Sequence, residues 1–483
     1  MTYGANFKVG ENLPASIHCV SVSMPEFQNV IDYEENKQEL IQKLKAGYPR
    51  FVFNPEVQKL HNRILNEHGK NSELVICFPS LLTAKRCSEF VKSRTGLASR
   101  ILELEHITAL FIHESAYSEA KAYWQHFGEI TSSRLALHLN NKLPNLQTSQ
   151  AKELLKERLA KLYQTNADNI YLYPSGMAAF ANARRAIDTV SNRKKALQFG
   201  FPYIDNLKLL EKTGEGALFL NYLGDKDLLK LQELLSKESF SAIFCEVPGN
   251  PLLRTPDLIK LHDIATTNKI PLIVDDTISG PLNTNCLEHA DLITTSLTKY
   301  FSGAGDVMGG ALILNPRSEL HEILREGIEA NYQDILWEED AIVLEKNSRD
   351  FPERQKRVND TTQILLEHFQ KNDNIERIYH PLFENKDNYE KILISSGGYG
   401  GLFSLKLRGG IEKARKFYDR IYLAKGPTFG TNFTICCPYT LLAHYHELQW
   451  AENLGIPSEL IRFSIGLEDP NELLTIFEES LNG

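Results

Sequence analysis

Between residues 169 and 316 short apolar runs alternate with amphipathic stretches, and this alternation restricts the chain to few folds. NIYLY, KKALQFG, SAIFCEVP, PLIVDD, ADLITTS and GGALILNP are bounded by Gly, Pro, Asn or Asp, as strands are. Helical stretches lie between them. One is GMAAFANARRAI, and another is TPDLIKLHDIATTNK, with Thr255 placed to cap it. Apolar strands separated by helices predict a mostly parallel sheet covered on both faces, an α/β domain. Such sheets bind ligands beyond the carboxyl ends of their strands.

The flanking regions have a different grain. DYEENKQELIQKLKAGYP predicts a helix closed by Gly47 and stopped by Pro49. Helices over 56–68 and 82–92, with strands at ELVICFP and 106–113, predict a small extra α/β layer. Two more helices follow, over 135–143 and 150–163. Beyond Pro316 the composition becomes more charged, with a helical stretch from about 318 through 369 broken at Phe351-Pro352. From Gly400 onward GLFSLKL and LIRFSIGL mix strands with helices, as a smaller α+β domain does. The expected division is 1–146 for the amino-terminal segment, 147–316 for the large domain and 317–483 for the α+β domain.

Lys299 stands in TTSLTKYFSGAGDVMGG, between two runs that read as buried strands. Burial disfavours an ammonium, lowers its pKa and leaves a nucleophilic amine. With the hydroxyls of Ser296 and Thr298 beside it to hold a phosphate, such a lysine suggests a Schiff base to pyridoxal 5'-phosphate (PLP). Three other strand ends carry compatible groups. Ser175-Gly176-Met177 opens a helix, whose free N–H groups suit an anion. Asp275 can keep a pyridinium nitrogen protonated, and Tyr203 can stack on a ring. Taken singly, Lys299 also reads as a loop lysine, Asp275 as a turn cap and Tyr203 as core packing. Their order and spacing give the PLP reading its weight.

With these residues in view, 170–316 and 400–470 resemble the Cys/Met-metabolism family of PLP enzymes. The motifs are SGM, the tyrosine before IDN, EVPGNP, DDT, SLTKY and the closing IPSELIRFSIGLEDP. The resemblance implies a fold-type I transferase with a mostly parallel large domain and a smaller carboxyl-terminal α+β domain. It implies Lys299 as the attachment lysine, Asp275 as the pyridinium partner and Tyr203 as the stacking ring. It implies cofactor contacts from Ser175, Gly176, Met177, Asn250, Thr277, Ser296 and Thr298, and substrate contacts from Arg462, Thr428 and Glu246. SIHCVSVSMPEFQNVIDYEE, GYPRFVFNPEV, CFPSLLTAKRCSEF and YWQHFGEITSSRLA are similar to the fungal-type cystathionine γ-synthase branch.

Three departures stand out. The family supplies a Tyr-x-Arg from the neighbouring subunit to the cofactor phosphate; matched to Tyr123, it finds Gln125 where the arginine belongs. Either Arg134 supplies the missing charge, a neutral hydrogen bond takes over, or the phosphate is held less tightly, with Arg134 as the candidate. The substrate turn appears as TFGT, and Asp276 adds a second carboxylate beside Asp275.

The composition narrows the partners. Lys and Arg number 53 against 62 Asp and Glu, for a net charge of −9 without a basic block, which speaks against nucleic acid or an anionic membrane. No apolar run reaches membrane-spanning length, and MTYGANFKVG lacks the plan of a signal peptide. Seven cysteines, two of them adjacent, read as free thiols of a cytoplasmic protein. His444 and His446, two apart on a helix, do not share an ion, so no metal is expected. GAGDVMGG leads into a strand, which excludes a dinucleotide loop.

The reading is therefore γ-replacement on an O-acyl-homoserine by L-cysteine, giving cystathionine, in a dimer or tetramer with shared sites. The alternatives are a cystathionine or methionine lyase, a homoserine-ester sulfhydrylase, or an idle regulatory protein on the same fold.

Overall fold

The computed structural model describes residues 7–144, 149–192 and 195–482. Its largest sheet has seven strands, in the spatial order Ile170–Tyr173, Gly310–Leu314, Leu292–Ser296, Leu272–Asp275, Ile243–Glu246, Ala196–Phe199 and Ala217–Leu220. Only Gly310–Leu314 runs against its neighbours. Because side chains alternate across a strand, each strand feeds two cores. Leu197, Ile243, Leu272, Val274 and Ile293 point to one face, under the helices Ala151–Tyr163 and Leu258–Thr267. Ala196, Phe244, Ile273, Leu292 and Leu312 point to the other, under Gly176–Val190 and His321–Glu329. The register sets Asp275 beside Glu246 on one side and Thr294 on the other, which gathers polar residues at one sheet edge.

A second sheet of five strands, Ile375–Tyr379, Leu402–Leu407, Ile461–Ser464, Ile435–Pro438 and Ala424–Lys425, forms the smaller α+β domain. A third, Glu73–Phe78, Ile107–His113 and Arg100–Leu104, is antiparallel and is the extra layer. One of its faces packs on the helix Pro55–His68 through Val57, Leu60 and Ile64. The other shares a core with Phe180 of Gly176–Val190, which fixes the layer to the large domain.

Several boundaries differ from those expected. Residues 1–146 are not one unit, because Val22, Met24, Phe27 and Val30 belong to the core of the small domain, with Phe403, Phe417 and Phe463. The small domain does not begin at 317, since Leu324, Ile328, Ala341 and Leu344 are buried against the large sheet. The charged composition that suggested a boundary comes from the outer faces of those helices. The long helix Phe351–Phe369 passes from one core to the other, and Pro352 opens it instead of breaking it. The 146/147 division lies outside the described residues. Two short helices, Phe27–Glu34 and Gln38–Ile41, replace the single one expected before Gly47. Asp257, not Thr255, caps Leu258–Thr267 by accepting from Lys260 N at 3.2 Å.

Candidate active site

The strand ends and both flanking domains enclose a cavity of about 450 Å³. At its floor Ser175 caps Gly176–Val190, accepting from Ala178 N at 3.1 Å and donating to Gly128 O at 2.8 Å. The hydroxyl is spent on the cap. The first-turn N–H groups of Gly176 and Met177 have no intrahelical acceptor and open to the cavity. Only glycine fits at 176, where a Cβ would lie 2.7 Å from that of Ser296. Ser296 lines the same floor, held by a hydrogen bond from its N–H to Thr277 Oγ1 at 2.9 Å.

Lys299 is buried, its Nζ 3.2 Å from Thr428 Oγ1 and 3.4 Å from the Tyr48 hydroxyl. The same nitrogen lies over the rings of Tyr48 and Phe429, 4.6 and 4.7 Å from their centroids. Burial pushes its pKa down and the Arg462 and Arg50 charges add to this, outweighing the opposing pull of Tyr48. Burial alone would raise the Tyr48 phenol, but Lys299 and Arg50 bring it down. The amine is thus disposed to the neutral form that a nucleophile or base requires.

Asp275 lines the cavity, and among the described residues no ion pair to it is found. Its carboxylate accepts from Thr277 N at 3.0 Å and from Asn206 Nδ2 at 3.2 Å, and burial raises its pKa against those bonds. Asp276, one residue on, points to the opposite face and takes the Tyr163 hydroxyl on both oxygens at 3.0 and 2.9 Å. Tyr203 lines the cavity, its N–H donating to Glu246 Oε2 at 2.8 Å. Asn250 donates to the Tyr439 hydroxyl at 2.8 Å and accepts from Arg462 Nη1 at 3.3 Å. Arg462 is buried over the Tyr439 ring, and its Nη2 reaches the carbonyls of Pro427 and Thr428. Glu246 is protonated more readily than a free carboxyl, through burial and then through Asp275.

Three expected residues lie elsewhere. The Thr298 hydroxyl is engaged with both the carbonyl and the N–H of Gly309. Tyr123 is inside the amino-terminal layer, donating to Glu129 and accepting from Arg185, with its ring stacked on Phe127. Arg134 pairs with Asp340 at 3.1 Å and Asp306 at 3.8 Å, beside a separate small pocket. Arg134→Ala should therefore leave cofactor affinity unchanged while costing about 3–5 kcal/mol of stability, because Asp340 is left buried and unpaired. Denaturant unfolding and a PLP titration of the same sample separate the two effects.

A different arginine, Arg50, lines the cavity. Its Nη1 donates to Gln125 O at 2.6 Å, and its Nη2 to the Tyr203 hydroxyl at 2.9 Å and to Asp205 Oδ2 at 3.1 Å. Asp205 is held down to about 2: burial opposes this, but Arg50 and His126 outweigh it. GYPRF is itself a Tyr-x-Arg, so the signal was present in the sequence at Tyr48 and Arg50. Gln125 does not replace the arginine but holds it by its backbone.

Lining one cavity, a backbone anion cradle, a buried guanidinium, a buried amine and a carboxylate bonded to neutral donors fit the phosphate, aldehyde and pyridine nitrogen of PLP. The fold and this donor set define a PLP-dependent enzyme of fold type I. The model of the Cys/Met metabolism PLP-dependent enzyme family matches residues 146–482, and that of the fungal trans-sulfuration enzyme N-terminal domain matches 56–132; the chain belongs to this family. It is 32% identical to cystathionine γ-synthase of Neurospora crassa and 31% identical to that of Saccharomyces cerevisiae, covering 98% of both chains in each case. Its fold is similar to that of cystathionine γ-synthase from Xanthomonas oryzae pv. oryzae, crystallised with aminoacrylate and cysteine. That likeness has TM-score 0.61 and 23% identity, over 69% of this chain and 86% of the other. Among the described residues all seven cysteines are free and buried, no cluster of metal ligands is found, and no helix is long and apolar enough to cross a membrane.

Proposed function

We propose that the enzyme catalyses γ-replacement on an O-acyl-homoserine with L-cysteine as nucleophile, giving cystathionine and the free carboxylic acid. The names of its full-length relatives support this reading, and one observation carries it: the cavity does not end at Lys299. Its lining also takes in Met24, Leu44, Leu442, Lys208 and Glu34, which leaves room for a second amino acid.

When bound, PLP supplies an electron sink for the carbon bearing the amino group. Arg462 fixes the α-carboxylate of the ester, and this presents the α-C–H bond to Lys299. Lys299 Nζ, as the neutral amine, takes that proton and returns it along the substrate chain. With PLP bound, Asp275 would keep its pyridine nitrogen protonated, and Tyr203 would pack against its ring. The acyl carboxylate leaves from the γ-carbon, and the cysteine sulfur bonds there in its place.

Burial raises the pKa of Glu34 to about 7, and no ion pair to its carboxylate is found among the described residues. In this reading it receives the ammonium of the incoming cysteine. Glu34→Gln should raise KM for cysteine about tenfold, equivalent to ~1.4 kcal/mol, without changing acyl release in a single turnover. Because the carboxylate is ionised only above its pKa, KM for cysteine should fall as pH rises through about 7 in the parent. The Glu34 contribution should vanish in the variant.

Product analysis with cysteine and the acetyl and succinyl esters tests the whole reading. Cystathionine with one of them sustains it. A keto acid and ammonia in place of cystathionine would make the enzyme a lyase, and use of sulfide alone would make it a sulfhydrylase. No product with either ester would return the idle-protein alternative.

A further inference from the structure

We propose that Asn206 is a positioning residue for the cofactor: its side-chain amide holds the Asp275 carboxylate in place for the pyridine nitrogen. This rests on the assignment of Asp275 to that nitrogen and not on the choice of reaction. Asn206 is buried and lines the cavity from the first turn of the helix Ile204–Lys212. Its Nδ2 donates to Asp275 Oδ2 at 3.2 Å, while Thr277 N donates to Oδ1 at 3.0 Å. A carboxylate offers about four acceptor sites, so these bonds leave room for a further donor from the cavity.

The two donors differ in kind. The Thr277 N–H is backbone, two residues beyond Asp275, and comes with the turn after the strand. The Asn206 amide comes from another element, 69 residues away in the chain, and only a side chain can supply it. That element is fixed to the sheet. Tyr203 N donates to Glu246 Oε2 at 2.8 Å and Asn206 N to Tyr203 O at 3.0 Å. Leu209 and Leu210 are buried in the core that holds Phe244 and Ile273 of the strands. Glu246 is in turn the register partner of Asp275, so helix and carboxylate are referred to the same pair of strands. Burial works against the charge on Asp275, and the hydrogen bonds that favour its ionised form come from Thr277 and Asn206. A protonated carboxyl would lose the charge that keeps a ring nitrogen protonated. The amide also carries a penalty. Asn206 Oδ1 is buried and, among the described residues, accepts no hydrogen bond. A leucine of similar size would leave no unpaired acceptor, so what the amide contributes here is its donor to Asp275.

Cofactor affinity tests this without turnover. The full-length parent, Asn206→Leu and Asp275→Asn are freed of cofactor and titrated by absorbance with PLP and with its deaza analogue, in which C–H replaces the ring nitrogen. The analogue keeps the aldehyde and the phosphate, so the ratio of the two affinities reports the nitrogen alone. The parent should prefer PLP. Asn206→Leu should lose about tenfold of that preference, as for one hydrogen bond to a charged group, with its affinity for the analogue unchanged. The parent ratio in Asn206→Leu would overturn the proposal. So would an equal loss of both affinities, which would make Asn206 a structural residue only. If Asp275→Asn keeps the parent ratio, the assignment of Asp275 fails and the role of Asn206 falls with it. If Asp275→Asn loses the preference and Asn206→Leu does not, the role of Asn206 fails alone. Should Asn206→Leu not fold, Asn206→Ala removes the same donor and takes its place, with the same outcomes.

Discussion

Lys299→Ala should fold normally and be almost inactive. The fold survives because the ammonium is already disfavoured at this site, so the variant removes a group whose burial is itself a cost. Turnover does not survive, for two reasons. Covalent attachment of PLP is lost, and so is the base that moves the α-proton, a role worth about 10²–10⁴ in rate by itself. Thr428 and Tyr48, which hold Nζ at 3.2 and 3.4 Å, are hydroxyls and cannot take over as strong bases. Borohydride reduction followed by peptide mapping should place the pyridoxyl group on Lys299 in the parent and on no lysine in the variant. A small primary amine added to the variant should restore part of the activity. Label on another lysine of the parent would remove Lys299 from its assigned role.

The sheet was readable because its strands are apolar on both faces and its helices on one, so the local pattern and the final burial agree. Lys299, Asp275 and Asn250 were readable for another reason: each sits at a strand end or in a loop after one, where position along the chain and position in the site coincide. Arg50 lacks that advantage. It lies far upstream of the sheet it serves, and nothing local tells its Tyr-x-Arg apart from a chance occurrence. Tyr123 offered a better-placed imitation, but its ring faces Phe127 within the layer. Arg134 failed similarly, because its partner Asp340 is 206 residues away and no periodicity announces such a pair. The 317 boundary failed because composition reports the exposed face of a helix, whereas the core is built from the hidden one.

Asp275→Asn should lower kcat by about 10²–10³, the loss typical of removing one electrostatic stabiliser from a water-excluded site. Asp276→Asn should leave kcat within a few-fold. The two carboxylates are adjacent in sequence but point to opposite faces of the strand end. The asparagine amide at 275 is neutral and cannot keep a pyridine nitrogen protonated. PLP should stay attached through Lys299 in that variant, with an altered absorption spectrum and slow turnover. Asp276 reveals itself in stability instead. Burial raises its pKa to about 7, against the hydrogen bonds from Tyr163 and Thr295. The unfolded value is near the ordinary ~3.9. Between those two pH values the folded protein binds the extra proton, so the Asp276 contribution to stability is full below about 4 and declines as pH climbs to about 7. Melting curves across that window should slope downward with pH in the parent and lose this component in Asp276→Asn, where no titrating group remains. If Asp276→Asn proved the more damaging to kcat and Asp275→Asn flattened the stability profile, the two roles would have to be exchanged.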